Sequence, residues 1–153
     1  ANAFVYFVDH TEPLGLETID ERFPGLVDEI VRSPGIGYVF VRSTAGPVCV
    51  WRGKRYRLHE LHAGPFVRRD ARDLVVDGIR DLMAMPSAGD LVIYGLDAPQ
   101  GNVSFIPERG AHAGPTADEM HTFIITPPGI ELPSPITHPL KLYPHFVGYQ
   151  EAA

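Results

Sequence analysis

Short apolar runs alternate with turn residues along most of the chain. Runs rich in β-branched and aromatic residues predict strands, whereas apolar residues three or four positions apart predict helices. The predicted strands are residues 3–8, 37–42, 47–51, 55–58, 90–94, 102–105 and 120–126. The predicted helices are residues 16–23, 26–31 and 70–83, the last with Asp70 as its N-cap.

The order of these elements predicts the fold class. The breaks at Ala45-Gly46 and Gly53-Lys54 are short enough for hairpins, so the second, third and fourth strands are expected to form an antiparallel meander. We predict an α+β fold with a largely antiparallel sheet and helices packed on one side. Residues 1–126 are expected to form this domain, and residues 127–153 a proline-rich extended tail packed on it.

The glycine and proline content favours a fold of short elements. The chain has 15 Gly and 15 Pro among its 153 residues, whereas average usage would give about 18 of the two together. A bundle of long helices is therefore not expected. The hydrophobic content of 44% and the charged content of 21% are typical of a globular protein. A strand-like run at the very start, with no initiator Met, favours a chain cut from a longer protein.

The charge balance and the hydropathy pattern argue against several kinds of partner. The formal net charge is −6, which disfavours a sequence-independent grip on nucleic acid phosphates. No apolar stretch approaches the roughly 20 residues that span a bilayer. Residues 1–3 do not resemble a signal peptide, so a soluble chain is expected. The single cysteine, Cys49, lies in an apolar run and is predicted to be a buried, inert thiol.

Seven histidines are the main candidates for chemistry. None stands in an HxxxH or HExxH motif, and no CxxC is present, so a self-contained zinc site is not indicated. His59 and His62 are three residues apart and would share one face of a helix. Asp9 and His10 follow a predicted strand and combine two donor types that suit zinc. Ordinary surface roles are favoured for both pairs, which are kept as alternative metal ligands.

His112 has the most suggestive surroundings. It lies between Gly110 and Gly114, in a small-residue loop that leads into an apolar run. Glycines let the backbone turn sharply and allow an ion or a ligand to approach closely. Loops beside a rigid scaffold are also where binding residues are commonly presented. His112 is therefore the preferred metal ligand, with Gly110 and Gly114 shaping the loop.

The motifs of common self-contained enzymes are missing. The sequence contains no GxSxG, no P-loop and no GxGxxG after a strand. No catalytic residue is therefore assigned within this chain.

Two sets of segments resemble the alkaline phosphatase superfamily. Residues 110–114 followed by 119–129 look like the C-terminal signature of its phosphatase and type I phosphodiesterase/nucleotide pyrophosphatase branches, in which a His beside Gly precedes a strand and a turn. Residues 3–43, 89–95 and 103–105 are similar to bacterial phosphodiesterase-like members. The resemblance covers most of the chain and implies the C-terminal part of an alkaline-phosphatase-like α/β fold.

The resemblance implies that His112 is the last ligand of a two-zinc centre. Two such ions about 4 Å apart would activate a nucleophile and stabilise the attacking and leaving oxygens of a phosphoryl displacement. The superfamily's nucleophile, its first ligand Asp and its Ser-Asp-His-Gly pair have no counterpart here, since Asp9-His10 lacks the flanking Ser and Gly. The chain is therefore expected to be inactive alone. Its expected partners are the remainder of the parent catalytic domain and a small phosphate ester.

Two alternatives follow from the same residues. One is a non-catalytic binding or assembly domain, able to form an oligomer, that keeps the architecture without the site. The incomplete ligand set and the proline-rich tail favour it. The other is a small self-contained enzyme in which His59, His62 and His112 form a three-histidine site.

Overall fold

Five short strands form one antiparallel sheet in the part of the chain that the structure describes. The computed structural model describes residues 2–108 and 114–147. The strands are β1 (Asn2–Val5), β2 (Tyr38–Val41), β3 (Val48–Trp51), β4 (Lys54–Arg57) and β5 (Leu91–Tyr94). Their spatial order is β1-β5-β2-β3-β4.

Short helices lie in two of the four connections between successive strands, and others follow β5. The helix α3 begins after Ala71, so its N-cap is not Asp70 as predicted. Gly25, with a φ of 81°, precedes the second helix. The described α-helices are α1 (Leu16–Arg22), α2 (Leu26–Arg32), α3 (Arg72–Ala84), α4 (Ala117–Met120) and α5 (Tyr143–Val147). The described 3₁₀ helices are Leu58–Ala63 and Pro139–Leu142.

Strand β5 lies inside the sheet although it is the last strand in the described sequence. It pairs antiparallel with β1 on one side and β2 on the other, so Val92 lies opposite both Phe4 and Phe40. Strands β2, β3 and β4 pair as the predicted meander. The α+β class and the antiparallel sheet are therefore confirmed.

Helices cover both faces of the sheet, so the prediction of helices on one side is wrong. Tyr38 and Phe40 belong to a core that includes side chains of α3 and of the 3₁₀ helix Leu58–Ala63. Val39 and Val41 belong to a second core with side chains of α1 and α2. The reason is that β2 and β5 are apolar and buried at all four of their positions. A strand without a polar face must be covered on both sides.

Two of the predicted strands are absent. Residues 102–105 form an irregular loop. Of residues 120–126, Met120 is the last residue of α4, because its N–H donates to the Thr116 carbonyl oxygen at 2.9 Å. The residues after it have no regular structure. Apolar composition alone suggested strands here, but no neighbouring strand pairs with either segment among the described residues.

The chain divides into two compact units, Ala1–His121 and Thr122–Ala153. The first contains the sheet and both cores. In the second, the side chain of His138 accepts the Leu140 N–H at 3.1 Å at the start of a 3₁₀ helix. The expected boundary after residue 126 and the packing of the tail stay predictions. No helix in residues 2–108 and 114–147 is long and apolar enough to cross a membrane.

Candidate functional site

Arg69, whose side chain is 13% exposed, connects the loop after β5 to the residues that follow His112 in the sequence. Arg69 precedes α3, and its Nη1 donates to the Pro115 carbonyl oxygen at 3.1 Å. Its Nη2 donates to the carboxylate of Asp97, which comes shortly after β5. The Tyr38 hydroxyl donates to the same Asp97 oxygen at 2.5 Å. We call Tyr38, Arg69 and Asp97 the Arg69 cluster.

Two aromatic rings lie beside the guanidinium of Arg69. The guanidinium carbon of Arg69 lies 5.2 Å from the ring centre of Phe66 and 5.7 Å from that of Tyr38, as in cation–π contacts. Burial, followed by the hydrogen bond to Asp97, raises the pKa of Tyr38 well above its usual range. The Tyr38 hydroxyl therefore stays a neutral donor at physiological pH.

The backbone fixes Asp97 at the point where Arg69 meets it. Asp97 has a φ of 53°, and Asp is one of the few residues that tolerate this left-handed region. Its N–H donates to Oδ1 of Asn102 at 3.0 Å. Leu96, the residue before Asp97, lies very close to Gly37. A Cβ added to Gly37 would lie 1.6 Å from the Leu96 carbonyl oxygen. A glycine at position 37 therefore allows the start of β2 to approach the loop after β5.

Glu119 holds the described residues that follow His112. Its carboxylate accepts the Gly114 N–H at 3.0 Å and the Thr116 hydroxyl at 2.8 Å. The Thr116 hydroxyl oxygen accepts the Glu119 N–H at 3.2 Å, so the side chain of Thr116 caps α4. A Cβ on Gly114 would lie 2.1 Å from a Glu119 carboxylate oxygen. Gly114 therefore makes room for this carboxylate.

The remaining predicted loop residues, Gly110 and His112, lie in residues 109–113, outside the described part of the chain. On the N-terminal side of that segment, the Ser104 hydroxyl donates to the Glu108 carboxylate at 2.5 Å. Hydrogen bonds thus hold the described chain on both sides of His112.

The Asp9–His10 pair lies against an arginine. Arg22 donates to the Asp9 carboxylate and to Nε2 of His10. The hydrogen bond from Arg22 lowers the pKa of Asp9. A cation therefore already contacts both side chains and would repel a metal ion approaching them.

His59 and His62 share the face that the sequence predicted. Both belong to the 3₁₀ helix Leu58–Ala63, in which three residues complete one turn. His62 Nε2 lies 3.6 Å from a carboxylate oxygen of Asp73 on α3, and His59 is exposed. Among the described residues, no group of three or more His, Cys, Asp or Glu side chains is arranged to hold a metal ion. The three-histidine site stays an alternative, because His112 is outside the described residues.

A small open cavity of about 120 Å³ lies beside His10 and Asp90. Both oxygens of the Asp90 carboxylate are already bonded, to the N–H of Phe7 at 2.6 Å and to the N–H of Leu14 at 2.7 Å. Pockets for small organic ligands are usually larger, about 300 Å³ or more. The carboxylate of Asp90 therefore has a structural role, in which it accepts two backbone N–H groups.

The sequence pattern did not reveal the Arg69 cluster. Its three members are far apart in the chain, and Arg69 lies in a stretch without a recognisable period. The available signal was an acidic residue, Asp97, shortly after an apolar strand. Its partners depend on the order of the strands in the sheet, which the sequence pattern did not supply.

Comparisons with protein-family models, with curated proteins and with solved structures found no match in any of the three. The fold alone therefore defines the class of this protein: an α+β fold whose described five-stranded antiparallel sheet is covered on both faces.

Proposed function

We propose that this chain is the C-terminal portion of a metal-dependent phosphoesterase of the alkaline phosphatase superfamily. In this proposal His112 supplies one ligand to a two-metal site. The nucleophile and the other ligands come from the remainder of the parent catalytic domain, and the substrate is a small phosphate ester. The chain alone is inactive.

The observation that carries the proposal is the way the described residues that follow His112 in the sequence are held. Arg69 binds the Pro115 carbonyl oxygen at 3.1 Å, and Glu119 binds the Gly114 N–H at 3.0 Å. A metal ligand works best when surrounding groups fix its orientation. These anchors support the presentation of a ligand from this loop, and the resemblance of residues 110–114 and 119–129 to the superfamily signature supports its identity.

The donor chemistry of this loop fits one position of a zinc site. A neutral imidazole is a common zinc ligand, but zinc takes about four ligands in proteins. One histidine alone binds the ion weakly, so the rest of the domain must supply the other donors. When bound, the ions would polarise the phosphoryl oxygens of the substrate. The part played by this chain is to hold one imidazole in place.

Hydrolysis of p-nitrophenyl phosphate esters by the longer parent protein tests this function. The His112→Ala variant should lose about 100-fold or more of the metal-dependent rate. His121→Ala is the matched control, because His121 is an exposed histidine in the same part of the chain. Activity of His112→Ala equal to that of the unaltered protein would overturn the proposal.

A non-catalytic binding or assembly domain is the second candidate. In the unit Thr122–Ala153, Phe123 and Ile125 are 81% and 85% exposed. Large exposed apolar side chains are typical of surfaces that bind another protein. Size-exclusion chromatography and a calorimetric zinc titration separate the two candidates. A stable dimer with no response to zinc in the longer protein would favour the binding domain.

A further inference from the structure

We propose that the outer edge of β4 binds an acidic, extended segment of another protein, which adds a strand to the described sheet. This inference goes beyond the proposed function and does not depend on His112 or on a metal ion. The added segment pairs with β4 through backbone hydrogen bonds, and its carboxylates meet the cations of this strand.

Strand β4 is one of the two edges of the described sheet. It pairs with β3 from Val48 opposite Arg57 to Trp51 opposite Lys54. Only two residues separate Trp51 from Lys54, and the pair that flanks such a tight hairpin exchanges both backbone hydrogen bonds. Alternation along the strand then directs the N–H and carbonyl groups of Arg55 and Arg57 away from β3. Outward groups of this kind are what a further strand uses for pairing.

A carboxylate of the chain itself already binds one of these outward groups. Oε2 of Glu60 accepts the Arg57 N–H at 2.6 Å. The bond supports the outward direction of this N–H, and an acidic group is thus accommodated at the edge. Glu60 is exposed and belongs to the 3₁₀ helix that follows β4, so an incoming strand can displace its side chain.

The cations of this hairpin are concentrated, and most of them have no acidic partner. Residues 52–57 contain four of the 13 Lys and Arg residues of a chain whose net charge is −6. Arg52, Lys54 and Arg57 are exposed, and none of them forms an ion pair within residues 2–108 and 114–147. The edge therefore complements an acidic partner and repels a basic one.

Cations lie on both faces of β4. Lys54 is opposite Trp51, and the side chains of opposite residues share one face of the sheet. Arg55 and Arg57 lie on the other face, where Arg55 donates to Asp20 of α1 at 2.8 Å. The side chains of an added strand also alternate between the faces. Acidic residues at neighbouring positions of the peptide therefore meet Lys54 on one face and Arg57 on the other.

The aromatic residues of the hairpin favour a peptide over a single-stranded nucleic acid. Trp51 and Tyr56 are half-buried, with ring centres 6.0 Å apart, and pack against the core that includes side chains of α3. The guanidinium carbon of Arg52 lies 4.7 Å from the ring centre of Trp51. Single strands bind by stacking their bases on open aromatic faces. The rings of this hairpin are already in contact with other groups of the chain.

Isothermal titration calorimetry of the 153-residue chain with a synthetic peptide tests the site. The probe is the capped octapeptide Thr-Glu-Glu-Val-Glu-Glu-Val-Thr, which should bind with a Kd of about 10 to 100 µM. The same peptide with Lys in place of Glu should not bind. N-methylation of alternate amides keeps the carboxylates but blocks strand pairing, so it should weaken binding about tenfold or more.

Charge reversal of the exposed cations locates the site on the protein. The double variant Lys54→Glu and Arg57→Glu should bind the octapeptide at least tenfold more weakly. The matched control is the double variant Arg32→Glu and Arg80→Glu, which changes the net charge by the same amount at exposed positions of α2 and α3. It should retain the affinity within about twofold, because distant surface charges are screened by salt.

Glu60→Ala should act in the opposite direction. It removes the carboxylate that competes for the Arg57 N–H, so the octapeptide should bind about threefold more tightly. An increase in affinity cannot result from loss of folding, which makes this variant a check on the weakened binding of the charge reversals.

Four results would overturn the proposal. The first is no binding of the octapeptide at about 1 mM, and the second is equal binding of its N-methylated form. The third is tighter binding of a thymidine oligonucleotide, which would make the partner a nucleic acid. The fourth is self-association of the chain that Lys54→Glu and Arg57→Glu abolish, because the occupant would then be a second copy.

Discussion

Oδ1 of Asp90 accepts the backbone N–H of Leu14 at 2.7 Å, although the two residues are 76 positions apart. Oδ2 of Asp90 accepts the N–H of Phe7 at 2.6 Å. One carboxylate that is 5% exposed thus holds the segment between β1 and α1 against the start of β5. This contact joins the segment after the N-terminal strand to the start of the inner strand β5.

Asp90→Ala should destabilise the fold by about 3 kcal/mol, because it leaves two backbone donors without their charged acceptor. Thermal unfolding followed by circular dichroism measures the loss. Asp77→Asn is the control, since Asp77 is exposed and forms a surface ion pair with Arg80, and it should change stability very little. Equal effects of the two substitutions would contradict the structural role of Asp90.

Two glycines should respond to alanine in opposite directions. At Gly37 a Cβ would lie 1.6 Å from the Leu96 carbonyl oxygen, so Gly37→Ala should cost about 3 kcal/mol. At Gly78, in the exposed middle of α3, a Cβ meets nothing within 4 Å. Gly78→Ala should therefore stabilise the protein by about 0.8 kcal/mol through its helix propensity. Urea unfolding of both variants measures the pair, and a Gly37→Ala variant as stable as the unaltered protein would refute this packing beside β2.

The thiol of Cys49 should be unreactive in the folded protein. Cys49 is buried, as its apolar neighbours predicted, and burial raises the pKa of its thiol well above the usual range. The folded state therefore keeps the proton that the unfolded chain releases near pH 9. This contribution to stability is present below that pH and is lost as the pH rises further. Labelling with a thiol reagent at pH 8 should require denaturant, and rapid labelling of the native protein would contradict the burial.

His10 should make no contribution to zinc binding. The Arg22 guanidinium contacts both Asp9 and His10 and repels a second cation. Calorimetric zinc titrations of the longer parent protein and of its His10→Ala variant should therefore coincide. A binding step that disappears in His10→Ala would restore the Asp9–His10 pair as metal ligands.

The sequence pattern predicted most of the elements of the first unit because apolar runs and turn residues mark them directly. It overextended β1, which was expected to reach residue 8 and ends at Val5. The Phe7 N–H is bonded to the Asp90 side chain instead of to β5, and a local pattern contains no information on a carboxylate 83 positions away. Periodicity finds elements, whereas such long-range polar contacts decide where the elements end.

The presence of helices on both faces of the sheet was predictable in principle from the composition of two strands. Residues 38–41 and 91–94 are apolar at every position, which is typical of strands covered on both faces. The Arg69 cluster was harder to predict from the sequence, because Tyr38, Arg69 and Asp97 become neighbours only when β5 lies beside β2. A strand order that places the last described strand inside the sheet depends on packing over the whole domain.

The proposed function places this chain in a longer protein, and the zinc content of that protein is the most direct test of the central claim that His112 completes a metal site. Elemental analysis of the gel-filtered protein should give about two zinc ions per chain, and about one for His112→Ala. His121→Ala should retain both ions. An unchanged zinc-to-protein ratio in His112→Ala would contradict the claim.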